Sequence, residues 1–238
     1  MKIDPKAIKT NQVEPHDELH AIVSKYRSSV FNKPIAEHTA RAFESVLEWL
    51  TEWEGEVIID ACCGVGESTS WLAKRHPDCK IIGVDKSAAR LSKHQYYDDK
   101  IIAKSSICTT LDVSSNIPNH IVVQADLTDF WRLLENCLRA QKWTIKKQFL
   151  LYPNPYPKKS QVQKRWHASP TFKSILACNQ VLEVRSNWLI YLQEFHQALA
   201  FYNIQSKICT VSGEPITPFE RKYLASGQPC WILTTSSV

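Results

Sequence analysis

Three acidic residues stand directly after three apolar segments that are typical of buried strands: Asp60, Asp85 and Asp126. The carboxyl ends of neighbouring strands in an open α/β sheet form the crevice in which ligands bind. A carboxylate at Asp60 suits a cation such as an amino group, and one at Asp85 suits both hydroxyls of a ribose. Asp126 could accept a hydrogen bond from an adenine amino group. The alternative is that these acids are turn residues that cap the following helices.

The segment after Asp60 contains a Gly-x-Gly turn formed by Gly64 and Gly66. Glycine lets the backbone approach a ligand at a point where a Cβ atom would clash. In dinucleotide-binding folds a third glycine brings the helix N-terminus to a pyrophosphate, and Thr69 occupies that place here, which disfavours a pyrophosphate. The turn and the three strand-end acids together follow the order found in class I methyltransferases. We therefore expect S-adenosyl-L-methionine as the cofactor.

Strand-like and helix-like segments alternate along the chain. Strands are predicted at residues 57–59, 80–84, 120–124, 147–152, 181–185, 204–210 and 230–234. Helices are predicted at residues 17–25, 35–50, 68–75, 87–97, 127–138, 171–178, 188–202 and 219–226. Residues 98–119 either extend the preceding helix or form an insertion.

This alternation implies right-handed crossovers and a mostly parallel sheet. The predicted fold is α/β, of the class I Rossmann-like type, with a seven-stranded mostly parallel sheet and helices on both faces. We place this methyltransferase domain at residues 51–238, after an N-terminal arm and helix at residues 1–50.

Basic residues are concentrated in one part of the chain. Residues 136–182 contain no Asp or Glu but nine Lys or Arg, whereas the whole chain carries a net charge of +5. Aromatic residues that could stack on bases lie among these cations: Trp143, Tyr152, Tyr156 and Trp166. Such asymmetry indicates a polyanionic partner, namely a nucleic acid. The alternative is a solvated face that is basic without a partner.

Composition is that of a soluble globular protein, with 44% hydrophobic and 22% charged residues. No apolar stretch is long enough to span a bilayer and the first residues lack a signal core, so we expect a cytoplasmic protein that does not enter a membrane. None of the eight cysteines forms a Cys-x-x-Cys pair. We therefore expect free thiols and no metal site.

From residue 57 onward the chain resembles the bacterial tRNA (guanine-N7)-methyltransferases. The first matching block comprises residues 60–66 and 83–85, which many methyltransferases share. The second is Tyr-Pro-Asn-Pro-Tyr-Pro-Lys-Lys at residues 152–159 with Lys-Arg at 164–165, similar to the family's Pro-Asp-Pro-Trp-x-Lys run. The third is Thr-Pro-Phe-Glu at residues 217–220, similar to the family's Thr-x-Phe-Glu.

The resemblance implies a substrate and a set of functional residues. The substrate would be tRNA, methylated at guanine N7 in the variable loop by a monomer or homodimer. The catalytic pocket would contain Asn154, Asn187, Thr217 and Glu220. The tRNA would be bound by Lys158, Lys159, Lys164 and Arg165. At two pocket positions the chain departs from the family, because Asn154 and Asn187 stand where the family has aspartates.

The sequence is also compatible with two other functions. Asn-Pro-Tyr at residues 154–156 imperfectly resembles the Asn-Pro-Pro-Tyr loop of amino-group methyltransferases, so the target could be another nucleic-acid group. The chain could also be a non-catalytic or small-molecule paralogue that keeps the cofactor fold. Transfer of labelled methyl groups to RNA, with the product nucleoside identified by mass, separates these possibilities.

Overall fold

The structure is a computed structural model that describes residues 8–94, 118–178 and 181–236. The predicted extension or insertion at residues 98–119 therefore lies outside the described residues, except for its last two. The end of the helix predicted at residues 87–97 lies outside them as well.

Seven strands form one sheet in the order β3-β2-β1-β4-β5-β7-β6. β1 pairs in parallel with β2, and β2 pairs in parallel with β3, whereas β7 runs antiparallel to both β5 and β6. The strands are β1 (Glu56–Ala61), β2 (Cys79–Asp85), β3 (His120–Gln124), β4 (Thr144–Leu151), β5 (Leu182–Ser186), β6 (Ser206–Thr210) and β7 (Trp231–Thr235). The predicted seven-stranded, mostly parallel sheet is confirmed.

The α-helices alternate with these strands as the sequence pattern predicts. They are α1 (Leu19–Ser28), α2 (Glu37–Trp49), α3 (Glu67–Arg75), α4 (Ala88–Leu91), α5 (Leu127–Cys137), α6 (Phe172–Ala177), α7 (Leu189–Phe201) and α8 (Pro218–Ala225). Short 3₁₀ turns at Lys159–Lys164 and Trp166–Ala168 follow β4 and were not predicted. None of the described helices is long and apolar enough to cross a membrane.

The chain divides into two compact units, of which one comprises Lys33–Phe149. Its core is built on β1, where Val57, Ile58 and Ile59 are fully buried because this strand lies inside the sheet. Helices α2 and α5 pack against each other, with the rings of Phe43 and Phe130 edge to face at 5.2 Å. All five residues predicted to bind the cofactor belong to this unit.

The other unit comprises Met1–Asn32 and Leu150–Val238. Its N-terminal helix α1 buries Leu19, Ile22 and Val23 and packs against α7. The four residues predicted to form the catalytic pocket and the four predicted to bind tRNA belong to this unit. The domain boundary predicted at residue 50 stays a prediction.

Candidate active site

The cofactor turn, residues 60–66, leaves β1 through three left-handed backbone positions. Cys62, Gly64 and Gly66 have φ values of 61°, 63° and 77°. A Cβ atom on Gly66 would lie 2.2 Å from Nδ1 of His94, so only glycine fits there. A Cβ atom on Gly64 would meet nothing closer than 4.0 Å, which leaves space beside the backbone where a ligand can approach.

Asp60 lies at the start of this turn with its side chain fully buried. Its Oδ2 accepts hydrogen bonds from the hydroxyls of Ser68 and Thr69, both at 2.7 Å. Its Oδ1 is buried and has no hydrogen-bond donor among the described residues. Burial raises the pKa of this carboxyl to about 6, although the two hydroxyl bonds oppose the rise. A buried carboxylate oxygen without a donor is suited to a cationic ligand.

Asp85, at the end of β2, fixes the same turn from the neighbouring strand. Its Oδ2 accepts the backbone N–H of Gly64 at 3.1 Å, and its Oδ1 accepts that of Ser87 at 2.8 Å. Oδ1 also pairs with the guanidinium of Arg90 at 3.0 Å. Oδ2 accepts one of these hydrogen bonds, from Gly64, and a carboxylate oxygen can accept two hydrogen bonds. Asp85 therefore orients the cofactor turn and keeps acceptor capacity for a hydroxyl.

Asp126 is the N-cap of α5. Its Oδ1 accepts the backbone N–H of Thr128 at 2.8 Å, and its own N–H donates to Oγ1 of Thr39 at 3.1 Å. One oxygen of the Asp126 carboxylate therefore caps the helix, which is the alternative role considered for the strand-end acids. The role of Asp126 toward an adenine amino group stays a prediction.

In the other unit, Thr217 and Glu220 lie together at the N-terminus of α8. Oγ1 of Thr217 caps the helix by accepting the N–H of Glu220 at 3.0 Å. The carboxylate of Glu220 is fully buried, and its Oε1 accepts from Nη1 of Arg185 at 2.8 Å. Its Oε2 has no donor among the described residues. Burial raises the pKa of Glu220, and the charge of Arg185 opposes the rise.

Tyr152 lies beside this carboxylate, directly after β4. Its φ of 52° is left-handed, and its ring lies 5.7 Å from that of Tyr223. The hydroxyl is buried and has no partner of hydrogen-bonding geometry within the described residues. Burial raises the pKa of Tyr152, and the charge of Glu220 raises it further. A phenol and a carboxylate are therefore buried close enough to interact with each other, and neither the phenol oxygen nor Oε2 of Glu220 makes a hydrogen bond of good geometry within the described residues.

The two asparagines predicted to belong to the catalytic pocket, Asn154 and Asn187, follow the ends of the neighbouring strands β4 and β5. The N–H of Tyr152 donates to the carbonyl oxygen of Arg185 at 2.9 Å, which brings these strand ends together. Asn154 is exposed, and its Oδ1 accepts the N–H of Tyr156 at 3.2 Å. Asn187 is half-buried, and its Nδ2 donates to Oε1 of Gln228 at 3.2 Å. No contact joins either asparagine to Thr217 or Glu220 in the described hydrogen bonds.

The predicted tRNA-binding cations differ in how accessible they are. Lys158, Lys159 and Lys164 are exposed, and Lys159 pairs with Asp17 at 2.9 Å. Arg165 is fully buried and pairs with Glu194 at 2.6 Å. A buried guanidinium that is neutralised by a carboxylate cannot contact a phosphate, so the prediction that Arg165 binds tRNA is wrong in this structure.

Some side chains of the acid-free stretch, defined as residues 136–182, are buried, and others are paired with acids. Trp143 is only 3% exposed, which excludes the predicted stacking of its ring on a base. Lys142 pairs with Glu54, and Lys146 pairs with Glu56, so two further cations are matched by acids outside the stretch. The basic window of the sequence is therefore less basic as a surface than its composition indicates.

The family model Methyltransf_4, described as "Putative methyltransferase", matches residues 54–233, which include every predicted site residue. The chain belongs to this methyltransferase family. The resemblance to bacterial tRNA (guanine-N7)-methyltransferases is thereby confirmed at the level of the family. No curated protein matches the chain.

Solved structures of other methyltransferases share the fold. The aminoglycoside resistance methyltransferase NpmB1 is 19% identical, covering 82% of this chain and 93% of its own, with a TM-score of 0.52. The 16S rRNA methyltransferase KamB is 13% identical over 87% and 96% of the two chains, with the same TM-score. A mutant of the 16S rRNA (adenine(1408)-N(1))-methyltransferase from Catenulisporales acidiphilia, solved with its cosubstrate SAM, is 14% identical over 82% and 91%, with a TM-score of 0.51. These likenesses establish the class I methyltransferase fold.

S-adenosyl-L-methionine is the cofactor of this methyltransferase, and the residues of the cofactor turn fit it. The unpaired Oδ1 of Asp60 would accept its ammonium group, and Oδ2 of Asp85 would accept a ribose hydroxyl. Because Gly64 has no side chain, its backbone is accessible to a ligand beside Asp60 and Asp85. Both the orphaned oxygen and the open glycine are features that a bound amino acid and ribose would use.

The sequence pattern of this methyltransferase did not indicate the roles of Arg185 and Glu194, and it indicated Tyr152 only as an aromatic residue that could stack on a base. Arg185 and Tyr152 complete the cluster around Glu220, and Glu194 neutralises Arg165. The available signal for Arg185 and Glu194 was a charged residue next to apolar residues in a segment predicted to be a strand or a helix, since buried charges are almost always paired. Nothing in the sequence indicates which partner each would select.

Proposed function

We propose that this methyltransferase transfers a methyl group to N7 of a guanine in tRNA. The observation that carries the proposal is the buried carboxylate oxygen Oε2 of Glu220, which has no donor among the described residues. The Watson–Crick edge of guanine offers N–H donors to such an acceptor, and enzymes that modify a base read that edge after the base leaves the stack. The hydroxyl of Tyr152 could donate to guanine O6 from the same cluster.

The chemistry at N7 makes few demands on the protein. Guanine N7 carries a lone pair and no proton, so no general base is needed. When bound, the cofactor supplies a methyl group activated by a positively charged sulfur. The protein contributes by holding the base in line and by excluding water, which are effects of position and desolvation. Buried Glu220 and Tyr152 are suited to hold a base without taking part in proton transfer.

The two asparagines make a slow or altered enzyme the expected outcome. A hydrogen bond to a charged group is worth about 1.5–3 kcal/mol, against about 1 kcal/mol for a neutral one. Loss of two charged acceptors would weaken transition-state binding by roughly 10- to 1,000-fold. The amide oxygen of Asn187 remains an acceptor because its only described bond is made through Nδ2. Activity is therefore reduced in this proposal and not excluded.

An RNA substrate is supported by charge and by the nature of similar proteins. Lys158 and Lys164 are exposed and belong to the stretch without acids, and their binding to phosphates would release counterions from the RNA. Two of the solved structures with this fold are named as methyltransferases of 16S rRNA. The preference for tRNA rests on the match to the second sequence block at residues 152–159.

Restoring the acids tests the proposal. The double change Asn154→Asp, Asn187→Asp should raise single-turnover N7 transfer to unmodified tRNA by at least about tenfold, which corresponds to about 1.4 kcal/mol in the transition state. The product nucleoside is identified by mass. Asn136→Asp, which adds a charge at an exposed position of the same acid-free stretch, is the matched control and should leave the rate unchanged. Absence of N7-methylguanosine from both wild type and double mutant would overturn the proposal.

Methylation of another RNA group is the second candidate. Asn154 presents an exposed amide, and one solved structure with this fold is named for transfer to adenine N1. In that case the double change should lower the native activity and create no N7 product. Tight tRNA binding with no transfer of labelled methyl by either protein would instead identify a non-catalytic paralogue.

A further inference from the structure

The buried pair Arg165–Glu194 lies next to the substrate loop, defined as residues 153–159, and is not explained by cofactor or base recognition. We propose that this pair and the N-terminal segment at residues 10–16 position the substrate loop for methyl transfer. The inference rests on the proposed function only for the identity of the product, because it concerns how the loop is held.

Arg165 has all five of its N–H groups engaged. Nη1 donates to both carboxylate oxygens of Glu194, at 2.7 and 2.6 Å. Nε and Nη2 donate to the carbonyl oxygen of Tyr156, at 3.2 and 3.0 Å. Nη2 also donates to Oε1 of Gln12 at 2.9 Å and to the carbonyl oxygen of Lys158 at 3.4 Å. The rigid guanidinium thus joins α7 to two backbone carbonyls of the loop.

The carbonyl that Arg165 holds belongs to a strained residue. Tyr156 has a φ of 46°, which a residue with a side chain rarely adopts unless its surroundings impose it. The N–H of the same residue donates to Oδ1 of Asn154 at 3.2 Å. Contacts therefore run without a break from Glu194 through Arg165 and Tyr156 to the pocket residue Asn154.

The N-terminal segment contacts the same loop and the same carboxylate. Oγ1 of Thr10 donates to the carbonyl oxygen of Pro157 at 2.6 Å. Nε2 of Gln12 and the backbone N–H of His16 both donate to Oε1 of Glu194, at 2.7 and 2.9 Å. One buried carboxylate thus gathers the N-terminal segment, α7 and the substrate loop in a single hydrogen-bonded network.

The charge of Glu194 in this network is fixed, whereas burial lowers the pKa of His167, whose Nε2 bonds the same carboxylate at 2.9 Å. Burial alone would raise the pKa of Glu194, but hydrogen bonds from His167 and Arg165 and their charges outweigh it and hold the pKa at about 2. Glu194 therefore stays ionised at any working pH. An apolar pair of similar volume could fill the space between α7 and the loop, and often does so with equal stability. It could not bind the carbonyls of Tyr156 and Lys158, and that directional contact is what points to positioning.

Arg165→Lys tests the proposal, because lysine keeps the charge but has three donors on one nitrogen. Turnover at saturating tRNA should fall at least about tenfold. The KM for tRNA and the affinity for S-adenosylmethionine should change less than about twofold, since the cofactor residues belong to the other unit. Amide hydrogen exchange should speed up at residues 153–159 and stay unchanged at residues 60–66. Arg132→Lys, which alters an arginine paired with Asp129 in the other unit, is the control and should change none of these quantities.

A variant with a smaller expected effect tests the proposal in case Arg165→Lys does not fold. Thr10→Val removes one exposed hydroxyl and should lower turnover about threefold with faster exchange in the loop, whereas Thr10→Ser should restore both. Unchanged exchange and unchanged turnover in folded Arg165→Lys and Thr10→Val would overturn the proposal. A raised KM for tRNA with constant turnover would also overturn it, since that is the mark of a phosphate contact. If wild type methylates another nucleoside, the proposed function fails, yet the exchange data and relative turnover still decide this inference.

Discussion

The cofactor turn and the substrate loop are both irregular segments that follow a strand, but they are held in opposite ways. The cofactor turn is fixed by partners nearby in sequence, such as Ser68 and Thr69 for Asp60, and by the next strand through Asp85. The substrate loop is fixed by side chains far away in sequence. Arg165, which donates to the carbonyl oxygens of the loop, is itself held by Gln12 and Glu194. These two residues lie 153 and 29 positions away from Arg165 in the sequence.

This difference determines what each segment tolerates. A turn built from glycines and local hydrogen bonds depends on backbone geometry, so a single Cβ atom is its most damaging change. A loop built from distant side chains depends on charges and donors, and its shape changes when one partner is altered. We therefore expect substitutions in the cofactor turn to exclude the cofactor sterically, and substitutions around the substrate loop to change the orientation of the loop.

Substitution of Gly64 is expected to have the largest effect on cofactor binding. Gly64→Ala adds a methyl group at a position with no protein neighbour closer than 4.0 Å, so the fold can accommodate it at the expense of a left-handed alanine, about 1–2 kcal/mol. If the cofactor occupies the space beside Gly64, affinity for S-adenosylmethionine should fall by about 10- to 100-fold. Calorimetry measures the affinity and thermal unfolding measures the stability.

Gly213→Ala is the matched control for this prediction. Gly213 also has a left-handed φ, of 91°, and an added Cβ would meet nothing within 4 Å. Both variants should therefore lose a similar amount of stability, and only Gly64→Ala should lose cofactor affinity. Equal cofactor affinity in the two variants would show that the ligand does not approach the backbone at Gly64.

The same contrast explains which features the sequence could predict. β3 begins and ends where the apolar run predicts, at residues 120–124, and the acids at the ends of β1 and β2 lie where their spacing places them. These are local patterns of burial and period. Arg165 was predicted to bind tRNA because it belongs to the basic cluster of the second sequence block, yet it is buried and paired with Glu194 of α7. A partner 29 residues away leaves no mark on the local pattern, so burial of this arginine could not be inferred.

The predicted site shows the same division. The cofactor follows from the strand-end acids and glycines of one unit, whereas the fold class follows from the alternation along the whole chain and the family from blocks in both units. In the other unit, Thr217 and Glu220 were found by resemblance, but the partners that define their chemistry, Arg185 and Tyr152, come from two different strand ends. The proximity of such residues cannot be predicted from their spacing in the sequence unless the order of the strands in the sheet is known.

Titration of Asp60 gives a second, intermediate effect. Because burial raises the pKa of this carboxyl to about 6, the folded protein binds its proton more tightly than the unfolded chain does, and ionisation destabilises the fold as pH rises toward 6. A cationic ligand favours the ionised carboxylate, so cofactor binding should release a proton. Affinity should fall by up to about tenfold between pH 7 and pH 5, as measured by calorimetry in buffers with different ionisation enthalpies.

Asp60→Asn removes the titrating group and keeps its shape. The variant should bind the cofactor weakly at pH 7 and show little further change at pH 5. A pH dependence as steep as that of wild type would assign the titration to another group and leave Asp60 without a role toward the ammonium. The substrate loop offers no such effect, because Glu194 stays ionised throughout this range.

The smallest effect is expected from the exposed lysines, and it separates free cations from paired ones. Lys158→Ala with Lys164→Ala should flatten the dependence of RNA affinity on salt by about 1.4–1.8 logarithmic units per decade, if each lysine neutralises one phosphate. Lys142→Ala with Lys146→Ala removes the same formal charge from the same acid-free stretch. These two lysines already pair with Glu54 and Glu56, so their loss should flatten the salt dependence by less.

The comparison works because both double variants lower the net charge equally, so a general electrostatic attraction would weaken by the same amount in each. Only a localised contact can give unequal slopes. Affinity measured at several salt concentrations, with cofactor affinity as the check on folding, provides both slopes. Equal slopes would mean that RNA is attracted by the charge of the chain as a whole. An unchanged slope for the Lys158 and Lys164 pair would show that neither lysine contacts a phosphate, and RNA binding would then depend on other residues.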